Sequence, residues 1–177
     1  MLKSGVNIFI LFLLISISIF PQWKEQKNNN THWLWCVSFS DSVHGTTVGD
    51  MGTILRTDDG GTNWTTQSSG TVEPLLAVHF SDIHHGTILG ENGVILRTTN
   101  SGKNWIEQSS GTTNWLWSVY FNNTDTGYVV GDAGTILKTN NGGLKWISQV
   151  SNTLSNLWII ACCITESHFK TIKFIYS

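Results

Sequence analysis

One unit of 41 residues, written three times without an insertion, constrains this chain of 177 residues more than any other feature. The copies span 31–71, 72–112 and 113–153, and fourteen positions are identical in all three. Trp64, Trp105 and Trp146 fall in register, as do Phe39, Phe80 and Phe121. Four sets of glycines do the same, among them Gly45, Gly86 and Gly127. Inside each unit the apolar period is two residues, that of a strand and not of a helix. In the first copy, Leu34-x-x-Val37-x-Phe39 opens a strand with Val37 and Phe39 on one face. Further strands are expected over 46–48, 53–56 and 64–67, separated by glycine turns.

Four short antiparallel strands in one such unit are the content of a β-propeller blade. The expected fold class is therefore all-β: three complete blades and a degenerate fourth in an incomplete ring. Composition agrees, with 12% charged residues, 17 Gly and 9 Trp favouring strands and tight turns over helices. Ten Lys+Arg against twelve Asp+Glu give a net charge of −2, with no basic run to neutralise phosphates, so no nucleic-acid partner is expected.

The turn between the third and fourth strands reads Thr57-Asp58-Asp59-Gly60-Gly61-Thr62-Asn63-Trp64. Its counterparts carry Thr98, Asn100, Gly102 and Trp105, then Thr139, Asn141, Gly143 and Trp146. This is similar to the Asp-box, in which the third side chain accepts backbone N–H bonds, a glycine permits positive φ and the Trp packs beneath. Asp59 alone keeps the acid, a loss that a structural turn tolerates and a catalytic site would not. The whole unit, with G-x-x-x-G-x-x-G-x-I-L-[RK]-T ahead of the box, resembles the photosystem II assembly/stability factor family and its bacterial relatives. That resemblance covers residues 31 to about 160. It implies a non-enzymatic exported propeller that binds a protein. The family's Arg-rich binding patch is matched here only by Arg56 and Arg97, with Lys138 third, and these also read as ordinary outward strand residues.

No catalytic set stands out and no cofactor is expected. A sialidase-like Asp-box glycoside hydrolase is the enzymatic alternative, but Arg56 and Arg97 hold equivalent places in successive units and do not converge. Asp50, Glu91 and Asp132 fall in glycine hairpins, suited to capping backbone N–H groups. His79, His84 and His85, with Asp82, are weak metal-ligand candidates. Trp33, Trp35, Trp115, Trp117 and Trp158 are read as packing where blades join, with a sugar- or peptide-binding face as the alternative.

At the N-terminus, Lys3 followed by an apolar run over 8–20 predicts a signal peptide at 1–22 and a polar linker at 23–30, hence export without stable membrane insertion. A fourth unit starts at 154 and keeps register to 160. Residues 161–177 carry none of the expected glycines and read as a diverged or frameshifted tail. Three cysteines, two of them adjacent, offer no metal spacing. An incomplete ring leaves two apolar faces open, at Val37 and Phe39 and near Trp146 and Trp158. Self-association to complete the ring is therefore the expected partner interaction beside an unidentified protein.

Overall fold

A computed structural model describes residues 25, 26, 28, 30–164 and 170–176. The proposed signal peptide, half of the linker and parts of the tail lie outside those residues. Strands β1 (Leu34–Phe39), β2 (Gly45–Gly49), β3 (Ile54–Thr57) and β4 (Thr65–Gln67) form one antiparallel sheet in sequence order. Strands β5 (Leu75–Phe80), β6 (Gly86–Gly90), β7 (Ile95–Thr98) and β8 (Ile106–Gln108) form a second. Strands β9 (Leu116–Phe121), β10 (Gly127–Gly131), β11 (Ile136–Thr139) and β12 (Ile147–Ser148) form a third. Finally β13 (Leu157–Ile164) pairs with β14 (Lys170–Tyr176) as a two-stranded ribbon. The first strands lie side by side, β1 against β5, β5 against β9 and β9 against β13, so the sheets radiate as blades of an open fan.

The third strands start one residue later than expected, because the Thr53 N–H is tied back to the Asp50 carbonyl and closes the turn. The fourth strands begin after the tryptophan, whose ring is turned under the Asp-box.

The spacing L-x-x-V breaks a strict period of two, and the structure shows why. Leu34 pairs with Gly49 and Cys36 with Val48, which leaves Trp35 as an extra, bulged residue. The same slip occurs at Leu76, Trp117 and Trp158. A β-bulge turns the strand by one residue, so the leucine ahead of it and the valine behind it share a face. Leu75 and Val78 duly meet in one core cluster, and Leu116 and Val119 in another.

Each core lies between blades. Val48 and Ile54 of the first blade pack against Leu75, Val78, Ile88, Val94 and Leu96 of the second. Ala77, Leu89 and Ile95 of the second meet Leu116, Val119, Phe121, Val129, Leu137 and Trp146 of the third. Val130 and Ile136 of the third meet Leu157. Each fully buried Leu or Ile contributes about 1.5–3 kcal/mol of transfer free energy. Where no blade precedes, the same positions are open: Val37 is 55% exposed against 6% for Val78, and Leu34 38% against 0% for Leu75. The expected opening at the far side is not found at Trp146, which is buried, while Trp158 stays 38% exposed and lies tilted against Trp117 at 4.6 Å. The β13–β14 ribbon covers that side of the third blade.

Gly52, Gly93 and Gly134 recur with φ between 66° and 71°. A Cβ on Gly93 would stand 2.0 Å from the Thr112 carbonyl oxygen, so both dihedral and space demand glycine. Gly93→Ala should lower the unfolding free energy by at least about 2 kcal/mol. Gly111→Ala shares the positive φ but meets nothing within 4 Å, and should lose only about 1 kcal/mol. Urea denaturation of the two variants separates close contact from backbone preference.

Candidate functional site

Two sets of loops close the fan at opposite ends. At one end lie the Asp-boxes and the turns between first and second strands. At the other lie the glycine hairpins between second and third strands.

The Asp-boxes repeat one hydrogen-bond pattern. The Thr57 hydroxyl donates to Asp59 Oδ1 at 2.8 Å and accepts from the Gly61 N–H at 2.9 Å, while Asp59 Oδ1 accepts from the Asn63 N–H at 2.9 Å. Thr98 with Asn100, and Thr139 with Asn141, make the same bonds. An amide oxygen serves as well as a carboxylate here because only its acceptor is used. The Asp59 carboxyl is held below the usual range, chiefly by the Asn63 N–H, with Asn63 and Thr57 side chains adding to it. Beneath the boxes Trp64, Trp105 and Trp146 meet Phe39, Phe80 and Phe121 edge to face, at 6.0–6.2 Å.

The outward reading of the arginines needs correction. Arg56 is only 6% exposed, and its Nε donates to the Ser101 carbonyl at 2.8 Å. Arg97 Nε donates to the Gly142 carbonyl at 2.5 Å. Each arginine thus leaves its own blade and fastens the equivalent peptide in the next Asp-box. Arg56 also pairs with Asp58. Lys138, third in the series, lies 5.6 Å from the centre of the Tyr128 ring. This bracket joins residues 45 apart, so no local pattern announces it.

The three histidines point to different partners. His79 lies parallel to the Phe121 ring at 6.2 Å, where burial pushes its pKa down. His84 Nδ1 faces Ser101 Oγ at 3.2 Å, and His85 Nδ1 faces Asp82 Oδ2 at 2.8 Å. His44 and Asp41 repeat the latter pair. Among the described residues no group of three or more His, Cys, Asp and Glu converges on a metal position.

At the opposite end, Asp50 and Asp132 do not cap backbone N–H groups as expected. Asp50 Oδ1 accepts the Trp35 indole N–H at 2.6 Å, and Asp132 Oδ1 that of Trp117 at 2.6 Å. The sequence did carry this signal: Trp35/Asp50 and Trp117/Asp132 become Leu76/Glu91 in the middle unit, changing together. Nor are these tryptophans all wedged between blades. Trp33 is 71% exposed and Trp35 51%.

Two expectations follow. Arg56→Met should lower stability by about 1–3 kcal/mol, since the Ser101 carbonyl loses its donor, while Lys103→Met stays within about 0.5 kcal/mol; urea midpoints compare them. Asp41 is held down to about 2 by the N–H groups of His44 and Val43. Its folded pKa lies below the unfolded value, so its contribution is present above about pH 4 and is lost as pH falls towards about 2. Asn123 accepts the equivalent bonds from Asp125 and Thr126 without a charge, so Asp41→Asn should remove that acid-sensitive step from melting temperatures measured against pH.

Residues 16–110 match the family model described as photosynthesis system II assembly factor YCF48. No curated protein matches the chain. Among solved structures, YCF48 bound to D1 peptide superposes with a TM-score of 0.65 at 23% identity, over 73% of this chain and 43% of that one. YCF48 from Cyanidioschyzon merolae gives 0.68 at 22% identity, over 85% and 59%. An ancestral GH74 enzyme gives 0.53 at 16%, over 64% and 18%. These likenesses are ones of fold, and the chain spans about half the length of the YCF48 structures. With a match across more than half its residues, the chain belongs to the photosynthesis system II assembly factor YCF48 family.

Proposed function

We propose that this chain is a non-catalytic, exported scaffold that holds a segment of a partner protein, as an assembly factor does. The observation that carries this reading is the family match over 16–110, with a solved relative that holds a D1 peptide. The disposition of polar groups supports it. Asp41, Asp58, Asp59 and Asp82 are engaged by His44, Arg56, Asn63 and His85, which commits them to closing turns. A glycosidase needs two carboxylates free to face a sugar across a cleft. Export is the expected route for a chain that opens with Lys3 and an apolar run.

Titration calorimetry of the purified chain with a D1-derived peptide and its scrambled counterpart tests the reading. Saturable heat with the former alone is expected, with no sugar released from xyloglucan or sialosides. Turnover of either glycan without peptide binding overturns it.

A further inference from the structure

Lysine and arginine are confined to one end of the fan, where aspartates accompany them, and the other end carries acids without either. Between residues 30 and 159 the five lysines and arginines are Arg56, Arg97, Lys103, Lys138 and Lys145. All lie on the third strands or in the Asp-boxes that follow them. The opposite end holds no Lys or Arg in its hairpins or inter-blade connections. It holds Asp50, Glu73, Glu91 and Asp132 instead.

That acidic end is also where the tryptophans gather. Trp33 and Trp35 meet edge to face at 5.8 Å, Trp115 and Trp117 lie tilted at 5.4 Å, and Trp117 and Trp158 lie tilted at 4.6 Å. Trp33, Trp35, Trp115 and Trp158 are all exposed. Trp35, Trp117 and Trp158 occupy the bulges of their strands, the positions freed from ladder pairing. The short bonds from Trp35 and Trp117 to carboxylates fix the ring orientations. They also place negative charge on the indole N–H, which enriches the ring faces in electrons.

Between the two aromatic groups lies the middle blade, where Leu76 has no indole N–H to offer. Glu91 accordingly makes no side-chain hydrogen bond among the described residues. Burial pushes its carboxyl pKa up, and the charges of Glu73 and Asp50 push it the same way. A carboxylate crowded by two others, with no Lys or Arg in the hairpins or connections beside it, is a place for a cation.

We infer that this tryptophan-bearing end is a docking surface for a lysine- or arginine-bearing peptide segment, whose cationic side chains lie on the rings of Trp33, Trp35 and Trp115 while Glu91 takes their charge. The occupant follows from charge complementarity: ring faces attract ammonium and guanidinium groups, and four carboxylates with no Lys or Arg partner add long-range steering. An acidic segment would meet four carboxylates. The inference deepens the protein-binding reading by naming a face and a partner chemistry.

The test uses the full chain and follows tryptophan fluorescence on adding octalysine, octaglutamine or a xyloglucan oligosaccharide. Octalysine should give a saturable change that weakens with salt, and the other two none. Trp35→Leu copies the natural Leu76, and Trp33 is already open to solvent, so the double variant Trp33→Ala/Trp35→Leu should fold and bind octalysine about fivefold more weakly. Glu91→Gln should also weaken binding, and Lys103→Glu at the other end should not. Equal octalysine affinity in the double variant, or binding of the oligosaccharide in place of the peptide, overturns the assignment. If the D1-derived peptide still binds the double variant unchanged, the scaffold reading stands and this face is not its site.

Discussion

A blade of this fold does not own its core. Val48 and Ile54 are buried only because Leu75, Val78 and Ile88 of the next blade close over them, and the pattern repeats at both later junctions. Every sheet has two apolar faces and about forty residues, too few to bury both by itself. Strand register, bulge position and the arginine brackets all serve that one requirement, a close match between the front of one sheet and the back of the next. It also explains why the 41-residue spacing admits no insertion across three units.

Much of this was legible in the residues. The period of two, the glycine turns and the in-register tryptophans gave the number and order of strands, because those choices are made within a few residues of each other. The Asp-box was readable for the same reason: Thr57, Asp59 and Gly61 act on their own turn. What stayed hidden was contact across blades. Arg56 looks like any outward residue on a short strand until the next sheet arrives to offer the Ser101 carbonyl. The odd spacing between Leu34 and Val37 was a visible clue to the bulge, and the joint exchange of Trp35/Asp50 for Leu76/Glu91 a clue to the indole–carboxylate bond.

The two ends of the fan differ in how they are held. At the Asp-box end, backbone bonds join the two sets of turns, as from the Gly60 N–H to the Val43 carbonyl and from the Ser101 N–H to the His84 carbonyl. Arginines then tie one blade's box to the next, giving a continuous polar lattice. At the hairpin end backbone bonds also join turn to connection, as from the Asp50 N–H to the Trp33 carbonyl, carboxylates grip Trp35 and Trp117, and the tips place Met51, Asn92 and Ala133 in the left-handed region. This end presents large apolar rings on a frame made rigid from the other side. Loops carried by such a frame are where propellers present function.

The arginine bracket has a direction. Arg56 reaches forward to the second blade and Arg97 forward to the third, and among the described residues no hydrogen bond runs from a box side chain back to the preceding blade. Like a zip fastener with its teeth cut one way, the stack has an unsymmetrical grain. The Gly60 carbonyl, equivalent to those of Ser101 and Gly142, is a socket of the same shape at the leading edge. Any sheet that seats against Val37 and Phe39 must arrive in one orientation, with its cation foremost. A flipped copy would bury the same grease and leave that oxygen dry.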